Sequence, residues 1–302
     1  MTNKKILITG GSGNVGQHLS QLLIRKGYQV VHLSRSKGKN PKIKTFLWDV
    51  EAQKIDADCI NGVDVIVHLA GAGIADGRWT AKRKKLLIES RTQSIQLVYG
   101  LLKKYPHQVN SVISAGASGF YSERGEEWLT ENSAPNTDFL AECSLLWEQA
   151  VDEALALGLR VVKFRTGIVL DQKEGALPKM AMPIKLGIGA PLGSGKQYIS
   201  WIHIHDVAMM YLKGIEDESL QGAYNMSTPN PLTNTEITKS IAKTLNKPLW
   251  LPNIPSFLLK LIFGTMSAVV LGSTRMDVQK IIATGFKFRY PDIESALEEI
   301  YE

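Results

Sequence analysis

The first half of the chain alternates short apolar runs with longer stretches in which apolar residues recur every three or four positions. The runs Ile6 to Thr9, Gln29 to Leu33, Val63 to Leu69, Val109 to Ser114 and Arg160 to Phe164 are short and apolar, the pattern of buried strands. Between them, Gln17 to Arg25, Thr80 to Lys104 and Ala141 to Leu157 carry helical periodicity, and a further short strand leads into Trp48 and Asp49. Strand and helix in regular alternation predict an α/β fold: a doubly wound parallel sheet with right-handed crossovers. Ligands of such sheets sit beyond the strand C-termini. Chemistry is therefore expected at residues 10–16, 34–36, 70–73, 114–122 and 165–169.

After Gly167 the pattern changes. Residues 175–195 are rich in Gly and Pro and read as a loop with one short helix; a strand over Tyr198 to Ile204 and a helix capped by Asp206 are expected next. From Pro231 onward the pattern is of helices broken by Pro248, Pro252, Pro255 and Gly285. The expected organisation is a nucleotide-binding domain over 1–166, completed by 198–228, and a smaller, mostly helical substrate lobe over 167–302. The longest apolar run, Ile254 to Leu271, is interrupted by Lys260, Gly264 and Thr265 and reads as a buried helix rather than a membrane span.

Charge sharpens the picture. The net charge is +6, but residues 1–50 hold nine Lys or Arg, among them Lys37, Lys39, Lys42 and Lys44, against the single acid Asp49. That local excess of +8 leaves −2 for the other 252 residues and points to an anionic ligand near the chain's start. Only two cysteines occur, Cys59 and Cys143, in no metal-ligand spacing; both read as small buried residues in a reducing compartment. Met1 to Lys5 lead directly into a strand, without a signal-peptide pattern, so the expected address is the cytoplasm.

The strongest chemical signal is Thr9-Gly10-Gly11-Ser12-Gly13-Asn14-Val15-Gly16, a glycine-rich turn between a strand and a helix. Free backbone N–H groups and the positive helix end there suit a pyrophosphate. The second strand ends in Ser34-Arg35, with no acid to accept from a ribose 2′-hydroxyl and an Arg suited to a 2′-phosphate, which favours NADP(H). Trp48 and Asp49 are placed to flank the adenine, although Trp48 serves equally well as a packing residue. Leu69, Ala70, Gly71 and Ser114 follow or end later strands, and Arg78 stands after the 71–77 loop, placed to meet a phosphate. His203 and His205 would share one face of a strand, but no third ligand stands at useful spacing, so no metal is expected.

In combination, the glycine turn, His68-Leu-Ala-Gly-Ala72 and Ile202-His-Ile-His-Asp206 resemble the extended short-chain dehydrogenase/reductase superfamily. More narrowly, Gly77-Arg-Trp-Thr80, Ser90-Arg91, Asp138 to Ala141 with Trp147-Glu148, Gly187 to Gly195, Ser200 to His203 and Gly285 to Pro291 are similar to its atypical branch, the epimerase family proteins. The resemblance implies a Rossmann-like fold, NADP(H) and a C-terminal lobe particular to the group. It also implies a Tyr-x-x-x-Lys acid/base pair, yet the corresponding stretch, Asp138 to Glu148, holds neither residue, and Ser114-Ala115-Gly116 stands where Ser-Ala-Ser is usual.

Ser118 and Tyr121 are the nearest replacements, with Tyr121 expected to titrate near 10 for want of a neighbouring cation. Glu131, Asp138 and Glu142 read as capping or loop carboxylates. The resulting expectation is an NADP(H)-binding oxidoreductase or epimerase-like enzyme acting by hydride transfer on a small polar substrate, nucleotide sugars included, as a monomer or homodimer without nucleic-acid or membrane partners. The alternative is a catalytically silent NADP(H) sensor or docking protein.

Overall fold

The computed structural model describes residues 4–38 and 40–302; Lys39 of the basic run and Met1, Thr2 and Asn3 lie outside the described residues. In chain order, β1 (Lys5–Thr9), α1 (Asn14–Arg25), β2 (Gln29–Ser34), β3 (Lys44–Asp49) and β4 (Lys54–Ile55) precede β5 (Val65–His68), α2 (Ala81–Lys104) and β6 (Ser111–Ala117). Next come β7 (Trp128–Leu129), α3 (Phe139–Asp152), β8 (Arg160–Thr166), β9 (Ile168–Leu170), α4 (Ala176–Lys185), β10 (Tyr198–Ile199) and β11 (Trp201–His203). The remainder holds α5 (Ile204–Glu216), β12 (Gly222–Met226), β13 (Leu232–Thr233), α6 (Asn234–Thr244), α7 (Ser256–Phe263), α8 (Ala268–Leu271), β14 (Arg275–Met276), α9 (Gln279–Ala283) and α10 (Ile293–Tyr301).

Eight strands form the central sheet in the order β12-β8-β6-β5-β1-β2-β3-β4. All its pairs are parallel except the short β3–β4 edge. Strand order reverses between β1 and β5, which opens a crevice beyond their C-terminal ends. Alternation along β1 supplies both faces: Ile6 and Ile8 join a core with Leu19, Leu23 and Tyr211, while Leu7 joins the opposite core with Ile66, Ile95, Val112 and Trp147. Helices α1 and α5 cover the first face, α2 and α3 the second. Burying each such Leu or Ile contributes roughly 1.5–3 kcal/mol before ordering entropy is charged against it. A third core gathers Leu177 and Ile184 of α4, Ile237 of α6 and Leu297 of α10 around Trp201.

Three expectations need correction. The strand predicted over Tyr198 to Ile204 is split at Ser200: β10 pairs antiparallel with β13, and β11 pairs parallel with β9. Ser200 Oγ donates to the Thr274 carbonyl and accepts from Met276 N, both at 2.9 Å, so the break is where β14 is pinned. Asp206 does not cap α5; His203 does, and the Asp206 carboxylate instead accepts from Arg289 N and Tyr290 N, each at 3.0 Å. The run Ile254 to Leu271 is not one buried helix. It breaks into α7, a short 3-10 turn and α8; Leu259 is buried, but Phe257 and Leu261 are 66% and 76% exposed. The break follows from Gly264, which sits at φ +58°, a conformation that ends α7. Among the described residues no helix is long and apolar enough to cross a membrane.

Candidate functional site

The crevice is built around the turn from β1 to α1. Gly10 adopts φ +69°, and a Cβ there would fall 2.8 Å from the Leu69 carbonyl carbon and 2.9 Å from Ala70 N. A Cβ on Gly16 would fall 2.6 Å from the Gly10 oxygen, and one on Gly11 2.5 Å from the His32 ring. Side chains are therefore excluded at all three positions. Gly13 N donates to the Gly10 carbonyl at 3.0 Å to close the turn. Gly13 is also the N-cap of α1, which has no capping side chain and no acid in its first turn. An uncapped helix N-terminus ringed by glycines fits an anionic group. Ser12 and Asn14 turn their carbonyls to Gln17 Nε2 and the His18 ring, and Val15 packs on the first core.

Two buried histidines hold the floor of the crevice. Thr9 Oγ1 accepts from Leu69 N and Ala70 N at 3.2 Å and lies 2.8 Å from His68 Nδ1. With its lone pairs occupied, the hydroxyl donates to Nδ1, which leaves His68 Nε2–H to donate to the Arg91 carbonyl at 3.3 Å. His32 Nε2 lies 2.7 Å from Ser20 Oγ, whose proton goes to the Gly16 carbonyl, so His32 is the donor in that pair. Burial pushes both imidazoles down to about 4, and each is neutral in the fold.

At the β2 end, Arg35, Trp48 and Asp49 line one surface depression together with Lys54 and Asp56. Ser34 closes β2 beside it. Trp48 is buried among Cys59 and Ile60, so packing is its role here, and both cysteines are buried and free. Of the acids lining the depression, Asp49 accepts from Ala52 N and Asp56 from Asp58 N, and Glu51 borders it as well. Arg78 Nη2 donates to the Ile262 carbonyl of α7 at 3.3 Å.

Beyond β6 the geometry departs further from expectation. Ser114 is buried, and its hydroxyl donates to the Ala115 carbonyl at 2.8 Å. Ser118 opens a one-turn 3-10 segment whose carbonyl accepts from Tyr121 N. Tyr121 is fully buried rather than open at the mouth; its hydroxyl donates to Asn225 Oδ1 at 2.7 Å and accepts from Arg165 Nη1 at 2.9 Å. The expectation that no cation neighbours it is therefore overturned. Burial still outweighs Arg165 and raises the phenol to about 12. Arg165 is itself neutralised by Glu148, at 2.7 and 3.0 Å. On α3, whose N-cap is Asp138 as expected, the side chains facing Gly119 are Leu140 and Ser144. Neither is a general acid at neutral pH.

Comparison with known proteins is decisive at the level of family. Residues 6–227 match the model of the NAD dependent epimerase/dehydratase family, and residues 254–300 match a domain of unknown function, DUF1731. The chain belongs to the NAD dependent epimerase/dehydratase family. It is 37% identical over 298 residues to the epimerase family protein YfhF of Bacillus subtilis strain 168, covering 98% of this chain and 97% of that one. Among solved structures it is similar to the human epimerase family protein SDR39U1 (isoform 2) with NADPH, at 29% identity and a TM-score of 0.87 over 98% of both chains. It also resembles a nucleoside-diphosphate sugar epimerase from Corynebacterium glutamicum, at 32% identity and a TM-score of 0.81, over 100% of this chain and 59% of that one.

In this epimerase-family chain, reasoning from sequence missed two cations. Arg91 lies against Gly71, where a Cβ would come 3.2 Å from its Cζ, and stacks 5.0 Å from the Trp147 ring centroid. Arg275 is held between the rings of Trp128 and Tyr198, 4.1 and 4.5 Å from their centroids, and its buried Nε has no partner among the described residues. The Ser90-Arg91 pair was visible in the sequence without a role, whereas no local pattern marks Arg275. The expectation that His203 and His205 share one strand face fails: His203 ends β11, His205 lies in α5, and His203 Nε2 meets Glu299 Oε2 at 2.9 Å.

Proposed function

We propose that this chain binds NADP(H) along the β1–α1 turn and transfers hydride to or from a small polar substrate bearing an anionic group, with nucleotide sugars as the substrate class. The carrying observation is the turn itself, where three glycines leave no room for a Cβ beside a helix end that has neither cap nor acid. Gly10, Ser12, Gly13, Asn14, Val15 and Gly16 would cradle the diphosphate through their backbone. Arg35 would pair with the 2′-phosphate, since the residues ending β2 include no acid. Asp49 would border the adenine, and Leu69, Ala70 and Gly71 would line the path toward the nicotinamide. The presence of NADPH in the structure of human SDR39U1 supports this choice of cofactor.

Bound nicotinamide supplies the hydride acceptor or donor. For the chain's own part, Ser118, just past β6, would offer a hydroxyl to relay a substrate proton rather than act as an acid in its own right, and Arg275 would take a phosphate or carboxylate of the substrate. Tyr121 instead holds Asn225 and Arg165 together.

Titration with NADPH and NADH tests the reading: NADPH should bind clearly tighter. Arg35→Ala should weaken NADPH by about 1.5–3 kcal/mol and leave NADH unchanged. Equal binding of the two cofactors, or none, would overturn it. A second reading, a catalytically silent NADP(H) sensor, is favoured by Leu140 and Ser144 on the α3 face where an acid/base pair is usual. NADPH binding without turnover across a panel of carbonyl and nucleotide-sugar substrates would select it.

A further inference from the structure

Among the described residues, Arg91 has no carboxylate partner for its charge, only the Trp147 ring and two carbonyls. Its Nη1 donates to the Leu87 carbonyl at 2.8 Å and its Nη2 to the Ala72 carbonyl at 3.0 Å, while no carboxylate pairs with it among the described residues. The contrast with Arg165 is direct, because that buried guanidinium is paired in fork fashion with Glu148. A guanidinium has five N–H donors, and the two bonds to carbonyls neutralise no charge. A half-buried cation held in place without its counterion suits a ligand that brings an anion or several hydroxyls.

The sheet order says which part of a dinucleotide that would be. Arg35 lies at the end of β2, the glycine turn at the end of β1, and Gly71 and Ala72 just past β5, on the opposite side of β1 from β2. A dinucleotide with its adenosine over β2 and its diphosphate over the turn must run on across Leu69 to Ala72. The backbone there touches the turn, since a Cβ on Gly10 would collide with Leu69 and Ala70. Arg91 lies against Gly71 in that path. The face of α3 toward the Ser118 turn offers Leu140 and Ser144, so it brings no cation to the same place.

We infer that Arg91 is a cofactor-binding residue that takes the nicotinamide half of the dinucleotide, through its ribose and adjoining phosphate. The inference rests on the NADP(H) reading above, and the two fail separately.

The test compares two ligands on the full chain: NADPH, and adenosine 2′,5′-bisphosphate, which carries only the adenosine side. Arg91→Gln removes the charge and keeps an amide donor; Arg91→Met keeps an unbranched stem to pack on Trp147. Each should weaken NADPH by roughly tenfold or more, the loss of a charged hydrogen-bonding group, with the bisphosphate affinity unchanged. Arg91→Lys should recover most of that loss. Equal weakening of both ligands in Gln and Met variants would mark Arg91 as merely structural and overturn the inference, as would no change in either. If the unaltered chain fails to bind NADPH, the cofactor reading itself falls, before any variant is made.

Discussion

Tyr121 illustrates how a residue's sequence neighbourhood misleads about its chemistry. It follows a strand end at the expected mouth, yet its side chain turns into a pocket with Phe120, Leu129 and Met276, and both functions of its hydroxyl are used. Tyr121→Phe should therefore read out as a stability change. Removing the hydroxyl strands Asn225 Oδ1 and one Arg165 N–H, at a cost of about 1–3 kcal/mol, visible as a lower denaturation midpoint, with NADPH affinity unchanged. Turnover, where found, should persist. A variant of undiminished stability that loses all turnover would return Tyr121 to proton transfer. Glycines were easier to read than tyrosines. Gly16 is demanded by backbone contacts with Gly10 and Gly11 inside its own turn, whereas the partners of Tyr121 lie 44 and 104 positions off.

At the scale of elements, the two neutral histidines join strands to helices. His32 on β2 reaches Ser20 of α1, and His68 on β5 reaches the Arg91 carbonyl of α2. In the unfolded chain each takes up a proton near 6.5, whereas in the fold each stays neutral down to about 4. Both folded values lie below the unfolded ones. Their contribution is thus complete above about pH 6.5 and drains away as pH falls toward 4, by up to roughly 1.4 kcal/mol per pH unit per histidine. Urea midpoints at pH 7.5, 6 and 5 should fall in that order, and His32→Asn should flatten the slope. A midpoint constant from 7.5 to 5 would refute the assignment. The strands and helices of the first half were legible because each buries a face that its own periodicity announces. The strand over Tyr198 to Ile204 was not, since its division at Ser200 is set by β9, β13 and β14, which are distant in sequence. Nor was the exposure of α7: apolar composition indicates a wish to be covered, not the presence of a cover.

For the whole molecule, the sequence disclosed the class of fold, the sheet and the glycine turn, because these depend on alternation and on a contiguous motif. What it withheld is the cluster in which Arg275, Trp128 and Tyr198 come together from three separate segments. The sheet order has one more effect. β12, the last main-sheet strand in the chain, pairs with β8 through residues 222–226, after α4, β10, β11 and α5 have been laid down. The main sheet and the elements outside it are thus interleaved in the covalent chain, like the two plies of a cord. A fragment ending at residue 166 would present the full edge of β8, Arg160 to Thr166, to solvent, and open strand edges recruit other chains. It should be recovered as aggregate, whereas a fragment running through residue 228 should show a smaller aggregated fraction by gel filtration; a soluble, monomeric 1–166 would contradict this. A ribosome must therefore release some three-quarters of the protein before its first-written domain can close, and until then β8 waits as an unprotected edge in need of shelter.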